Sequence, residues 1–156
     1  MTINTQNFGT VEINPKDILS FHEGLPGFSH AKNFVVLFQE DEEVEGESPI
    51  CFLQSTDKED LSFVLIDVSG LVLGYRAQAL LEYARDAASG FDHENLAVYN
   101  IVTLRDELMD STANLKAPIV IDIKSKTGRQ VLYQGDDYPV RARLSDIMRG
   151  ESACQC

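Results

Sequence analysis

The chain of 156 residues lacks any run of about 18 apolar residues, the length that a membrane-spanning helix requires. Its first residues, Met-Thr-Ile-Asn-Thr-Gln, also lack the basic start and the apolar segment of a secretory signal. Apolar residues make up 44% of the chain and charged residues 24%, as in ordinary globular proteins. These features predict a cytoplasmic protein with no membrane contact, folded as a single domain over residues 1–150.

Catalytic motifs are also absent from the sequence. There is no Gly-x-Ser-x-Gly, phosphate-binding glycine loop, dinucleotide fingerprint or His-Glu-x-x-His. His22 and Glu23 are neighbours, but adjacent residues of a strand point to opposite faces and do not form an acid–base pair. No nucleophile stands beside a base, which argues against a hydrolase. We therefore predict a protein that is not an enzyme and uses no cofactor.

Cysteine is scarce, with three residues in the chain. Cys51 lies in an apolar run and is expected to be a small buried hydrophobic residue. Cys154 and Cys156 form a Cys-x-Cys, which supplies only half of the four ligands of a structural zinc site, and the histidines show no ligand spacing. We expect residues 151–156 to form a flexible tail. A metal or redox protein that uses these two cysteines is an alternative.

Basic residues are few: 13 Lys and Arg stand against 25 Asp and Glu, for a net charge of −12. Residues 1–114 carry 6 basic and 20 acidic side chains, a charge of −14, whereas residues 115–156 carry 7 and 5, a charge of +2. Such a chain repels phosphate backbones, so we expect no direct nucleic-acid binding and favour a basic protein partner. The alternative is that the acidity only maintains solubility. Six of the carboxylates fall within Glu40–Glu47, which should be a solvated loop.

What the sequence does contain is a series of short strands with apolar alternation or short apolar runs. One amphipathic helix is predicted over residues 78–88, and a short helix over Ser145–Arg149. Eight or nine strands at this spacing predict a mainly β fold, a small antiparallel β-barrel. The predicted strands are Phe8–Ile13, Asp17–Phe21, Asn33–Phe38, Ile50–Gln54, Leu61–Ile66, Asn95–Leu104, Ala117–Ile123 and Arg129–Tyr133, the last preceded by a hairpin turn at Ser125–Gly128.

The segment Gly24-Leu-Pro-Gly27 is the most informative local motif. Proline presets its own φ, and Gly27 supplies the positive φ that a type II turn needs at its third position. Leu25 and Phe28 are thereby placed on a fixed corner. Two interpretations remain open: the corner packs under a sheet as ordinary core, or it presents apolar side chains to a partner.

A further set of segments follows a fixed order along the chain: Phe21-His-Glu-Gly-Leu-Pro-Gly-Phe28, Phe52-Leu-Gln-Ser55, Leu61-Ser-Phe-Val-Leu-Ile66, Val98-Tyr-Asn-Ile-Val-Thr103, Asn114-Leu-Lys-Ala-Pro-Ile-Val-Ile121, Arg129-Gln-Val131 and Asp137-Tyr138. In this order and spacing, over roughly residues 8–144, they resemble the flagellar assembly factor FliW family. Two departures are Asp122, where the family usually carries Asn, and Cys51, where it often carries a large aromatic.

The resemblance implies a small antiparallel β-barrel that acts as a partner switch without catalysis. Members of the family bind newly made flagellin, and they also bind CsrA, an RNA-binding regulator that represses flagellin translation. When flagellin is scarce the factor is free to sequester CsrA, and translation resumes. The resemblance thus implies two protein partners, and we expect the chain to be a monomer when free.

Candidate partner-binding residues follow from these arguments. For flagellin we expect an apolar patch with Leu25, Phe28 and Tyr138 as lining residues. For CsrA we expect the acidic side chains Glu42, Glu43, Glu45 and Glu47 to repel RNA from its binding surface. The main alternative function is a small-molecule-binding β-barrel, which predicts an internal apolar cavity with a few convergent polar groups.

Overall fold

The structure, a computed structural model of the chain, describes residues 1–25, 27–38, 50–67, 82, 96–132 and 139–149. Within these residues the secondary structure is almost entirely β, with 3₁₀ turns at Pro15–Asp17 and Leu108–Asp110 and a helix α1 at Leu144–Arg149. No helix in this part of the chain is long and apolar enough to cross a bilayer. The strands are β1 Thr2–Thr5, β2 Gly9–Glu12, β3 Leu19–Ser20, β4 Asn33–Leu37, β5 Ile50–Ser55, β6 Ser62–Asp67, β7 Leu96–Thr103, β8 Thr112–Ala113, β9 Ile119–Asp122, β10 Thr127–Gln130 and β11 Ala142–Arg143.

Seven of these strands close into a barrel in the order β7-β6-β5-β4-β3-β10-β9, because β7 also pairs with β9. Every pairing in the ring is antiparallel except β3 with β10, which is parallel. An odd number of strands cannot close with antiparallel pairs alone, since each such pair reverses the direction once. The predicted small antiparallel barrel is confirmed, and its one parallel seam is a geometric consequence of the strand count.

The barrel interior is filled by apolar side chains at alternate strand positions, as a two-residue period requires. Phe21, at the end of β3, is fully buried and its ring covers the backbone of Gly128 on β10. A Cβ atom at position 128 would lie 2.3 Å from that ring, so the packing requires glycine. The buried cluster consists of Leu19, Phe21, Leu25, Ala31, Phe34, Cys51, Leu53, Leu61, Leu65, Ile119 and Ile121.

Two smaller units cover the outside of the barrel. The β1–β2 hairpin packs on β4 through a cluster that contains Ile3, Ile13 and Val35, and Phe8 contacts Phe52 edge to face. On the far side of β7, strands β8 and β11 continue the sheet beyond the ring. The N–H of Leu144, the first residue of α1, donates to the carbonyl of Ser111 at 2.9 Å. This bond joins α1 to the connection between β7 and β8.

Most predicted strands are confirmed with shifts of one or two residues. The main difference is at Asp17–Phe21, where Pro15–Asp17 forms a 3₁₀ turn and the strand shortens to Leu19–Ser20, because Asn14 caps the turn by accepting from the Lys16 N–H. The short C-terminal helix is confirmed. The predicted helix over 78–88 lies outside the described residues except for Glu82, which is helical and exposed. The loop Glu40–Glu47 and the tail 151–156 also lie outside them.

The predicted hairpin turn at Ser125–Gly128 is wrong in position. Strand β10 begins at Thr127, and the turn occupies residues 123–126. Asp122 holds it: its Oδ1 accepts from the N–H groups of Lys124 and Ser125 at 3.0 and 3.2 Å, and Lys126 takes a φ of 57°. Gly128 lies in β10, where the lack of a side chain admits the Phe21 ring.

Candidate protein-interaction surfaces

The corner, Glu23–Ser29, is fixed by backbone hydrogen bonds at one end of the barrel. The N–H of Phe28 donates to the carbonyl of Leu25 at 2.7 Å, and Gly27 has a φ of 84°. Both features agree with the predicted type II turn, although Pro26 itself lies outside the described residues. Gly24 also has a positive φ of 66°, and its N–H donates to Phe21 at 2.8 Å. These bonds hold the described residues of the corner in a tight turn.

The two apolar side chains of the corner have different environments. Leu25 is 2% exposed and belongs to the barrel core, which it covers at this end. Phe28 is 37% exposed, and its ring meets Phe63 edge to face at 5.4 Å. A cleft of about 190 Å³ separates the corner from Gln130 of β10. Of the two predicted flagellin-binding residues on the corner, only Phe28 presents surface.

A second surface is the β7–β8 loop, Leu104–Ser111. Ser111 is fully buried, and its hydroxyl accepts from the N–H of Arg105 at 2.8 Å and donates to the carbonyl of Glu107 at 3.4 Å. Two further backbone bonds close the 3₁₀ turn: Asp110 N–H to Glu107 and Ser111 N–H to Leu108. These bonds pair several backbone groups within the loop and so contribute to its order.

The β7–β8 loop is also tied to the end of the chain. Arg143 of β11 donates from Nη2 to Oδ1 of Asp110 at 2.9 Å, an ion pair between side chains that are both more than half exposed. Beside it lies an open groove of about 1030 Å³, lined by Leu104, Arg105, Asp106, Glu107, Asp110, Thr112 and Arg143. Three apolar side chains of the loop remain exposed: Leu104 at 49%, Leu108 at 43% and Met109 at 44%.

The barrel mouth is a third feature, at the end opposite the corner. A cavity of about 360 Å³ opens there between interior-facing positions of β3, β4, β7 and β9. Its walls are apolar, with the side chains of Asp17 and Lys126 as the charged groups. Phe38 and Ile123 stand at this mouth and are largely exposed. The cavity lies near the lower limit of small-molecule sites, about 300 Å³.

The remaining predicted site residues lie outside the described part of the chain. These are Tyr138 and the four carboxylates Glu42, Glu43, Glu45 and Glu47. Cys154 and Cys156 lie outside it as well, while Cys51 is buried, as predicted. Among the described residues, no group of three or more His, Cys, Asp and Glu side chains could hold a metal ion.

The β7–β8 loop was missed by sequence reasoning. Its residues show neither helix nor strand periodicity, and they lie between two predicted strands. One local signal was available: the apolar pair Leu108-Met109 stands between carboxylates, in a segment too polar to be core. The buried hydroxyl of Ser111, which orders the loop that carries this pair, is seen only in the structure.

Together these features define a class of protein. It is a closed barrel with a packed interior, whose described surface offers two ordered, partly apolar connections at the strand ends. Comparison with known proteins agrees. The profile of the family described as "FliW protein" matches residues 2–144. A crystal structure of the flagellar assembly factor FliW superposes with a TM-score of 0.70 at 32% identity, covering 92% of this chain and 96% of that one.

Relatives of similar length are known from several bacteria. The flagellar assembly factor FliW of Thermoanaerobacter pseudethanolicus is 38% identical over 149 residues, which cover 96% of each chain. That of Geobacillus kaustophilus is 36% identical over 144 residues, covering 92% of this chain and 95% of the relative. The chain belongs to the FliW family.

Proposed function

We propose that this chain is a cytoplasmic flagellar assembly factor that acts as a partner switch without catalysis. It binds flagellin when flagellin is abundant, and it binds the translational regulator CsrA when flagellin is scarce. Binding of CsrA relieves repression of flagellin translation. The observation that carries the proposal is the match to relatives named flagellar assembly factors over 96% of both chains. Partner binding thus follows from the family resemblance.

The charge of the chain supports the CsrA half of the switch. An RNA-binding protein attracts RNA through Lys and Arg side chains that displace counterions from the phosphates. A bound body with a net charge of −12 opposes that attraction. The repulsion falls off over a Debye length of about 8 Å at physiological salt, so the carboxylates must lie close to the path of the RNA. Glu42, Glu43, Glu45 and Glu47 are the proposed set, since they fall in the most acidic stretch of the sequence.

The corner supports the flagellin half. Amphipathic segments bind apolar grooves through spaced anchor side chains. Phe28 is the part of the corner that such a segment can reach, next to the cleft bounded by Gln130. Leu25 acts indirectly, because its burial holds the turn that presents Phe28. Tyr138 remains a proposed third member of this surface.

Titration of the purified protein with CsrA, at about 50 mM and about 500 mM salt and then with flagellin present, tests the switch. We expect tight binding that weakens at high salt, because screening reduces the attraction between opposite charges. Flagellin should abolish the CsrA signal. Failure of the wild-type protein to bind either partner would refute the proposed function.

A charge-matched pair of variants isolates the electrostatic step. In the first, Glu42, Glu43, Glu45 and Glu47 are changed to Gln. In the control, the exposed residues Glu12, Asp57, Glu59 and Asp60 are changed to the corresponding amides, which alters the net charge by the same four units. We expect only the first variant to lose RNA displacement from CsrA. Equal losses in both would assign the effect to total charge, and no loss in either would exclude the electrostatic mechanism.

The cavity at the barrel mouth favours a second candidate function, the binding of a small apolar molecule. Its apolar walls and its two charged groups, Asp17 and Lys126, match the composition of such sites. A thermal-shift screen with apolar metabolites measures this directly, because a ligand at 100 times its Kd stabilises the fold by about 2.7 kcal/mol. Ile123→Lys, which adds a charge at the mouth, should abolish any such shift.

A further inference from the structure

The β7–β8 loop combines internal order with outward apolar side chains. The Ser111 hydroxyl, the 3₁₀ turn and the ion pair of Asp110 with Arg143 hold the loop in one conformation. Exposure of Leu104, Leu108 and Met109 is therefore a property of the folded loop. Three exposed apolar side chains within six residues of one ordered loop make it a candidate interaction site, and an ordered site loses little conformational entropy when it binds.

The residue types of this surface suit a protein partner. Methionine and arginine are enriched at protein interfaces, and methionine adapts its shape to different apolar partners. Leu104 lines the groove together with Arg105 and Arg143, and Met109 is exposed on the same loop. The volume of this groove, about 1030 Å³, and its open form suit a helix or a folded edge of another protein.

The charges of the loop indicate the sign of the partner's charge. The ion pair with Arg143 neutralises Asp110. The two remaining carboxylates, Asp106 and Glu107, outnumber the one remaining cation, Arg105, so the loop has a formal charge of −1. The whole chain has a net charge of −12. Within the described residues, neither Asp106 nor Glu107 has a cation within salt-bridge distance. A partner segment with apolar side chains next to Lys or Arg would complement this surface in both respects.

We infer that the β7–β8 loop is the docking surface for the basic, RNA-binding partner of the switch. This inference rests on the proposed function and names the surface that one of its two partners uses. Apolar contact with Leu104, Leu108 and Met109 supplies the affinity, while Asp106 and Glu107 favour a basic partner over others. The corner, on the connection between β3 and β4, is left to flagellin.

The test uses the full chain with Leu104, Leu108 and Met109 changed to Ala. A matched control changes Ile123 and Leu132 to Ala, two apolar side chains of similar exposure at other places on the surface. Circular dichroism and thermal melting confirm that both variants are folded. We expect the loop variant to bind CsrA about 10- to 100-fold more weakly, as for loss of interface hot spots, with flagellin binding unchanged. The control should bind both partners like wild type.

A second variant, Asp106→Asn with Glu107→Gln, tests the charge argument. We expect CsrA binding about two- to fivefold weaker at low salt, with the difference disappearing at high salt. Loss of flagellin binding in place of CsrA binding, or unchanged CsrA binding in the triple variant, would overturn the inference. Failure of the wild-type chain to bind CsrA at all would instead refute the proposed function, so the two failures are distinguishable.

Discussion

The corner and the β7–β8 loop are both ordered connections with exposed apolar side chains, but they are ordered in different ways. The corner is held by Leu25, a core side chain that lies in the end of the barrel. The loop is held by polar bonds around Ser111 and by one surface ion pair, and its apolar side chains point away from the core. A change in the corner should therefore act on global stability, and a change in the loop on local order and binding.

The largest expected effect comes from Leu25→Ala. Removing a fully buried leucine leaves a cavity, which costs about 2–5 kcal/mol in the free energy of unfolding. Phe28→Ala is the matched variant three residues on. Its ring is more than one-third exposed, so its loss should cost less, about 1–3 kcal/mol, from partial burial of the ring and from the edge-to-face contact with Phe63. Urea denaturation with a constant m-value measures both. Equal destabilisation would mean that the corner does not divide into a core part and a surface part.

Gly24→Ala should have the next largest effect. A Cβ at position 24 would lie 2.6 Å from the Ser29 backbone, and the residue also has a positive φ. Displacement of backbone together with left-handed strain costs about 2–4 kcal/mol. Gly9→Ala is the control, because Gly9 has nearly the same φ of 67° but no atom within 4 Å of the added carbon. This variant should be destabilised by the backbone strain alone, about 1–2 kcal/mol. Similar losses in the two variants would show that the close approach to Ser29 is not part of the folded state.

The difference between the two regions also explains what could be predicted from the sequence. The corner follows from local rules, since Gly24 and Gly27 both adopt a positive φ, which glycine allows at low cost. The strands follow from the two-residue period of side chains that fill the barrel. Each of these signals lies within a few residues of the element that it predicts.

Most of the elements that were missed depend on contacts between distant residues, whereas the missed strand β1 pairs locally with β2. The parallel seam joins Ser20 to Thr127 at a single register position, and β8 and β11 are strands of two residues with no measurable alternation. The hairpin turn was misplaced because Gly128 was assigned to the turn, although its constraint comes from Phe21 more than 100 residues earlier. The order of the β7–β8 loop likewise depends on Arg143, 33 residues from Asp110.

Ser111→Ala gives the smallest change in stability and the sharpest separation of the two regions. It removes the acceptor for the Arg105 N–H, but Arg105 is exposed and water can replace the lost bond, so unfolding should become easier by only about 0.5–1.5 kcal/mol. The control is Ser125→Ala, which removes an exposed hydroxyl bond to Thr127 at the opposite end of the barrel. Hydrogen exchange should report faster opening of the amides in residues 104–111 for the first variant alone, with the core strands unchanged. CsrA binding should weaken with it, because a mobile loop must be ordered again on docking. Unchanged exchange in the loop would show that Ser111 contributes packing only, and that the ion pair with Arg143 suffices to hold the surface in place.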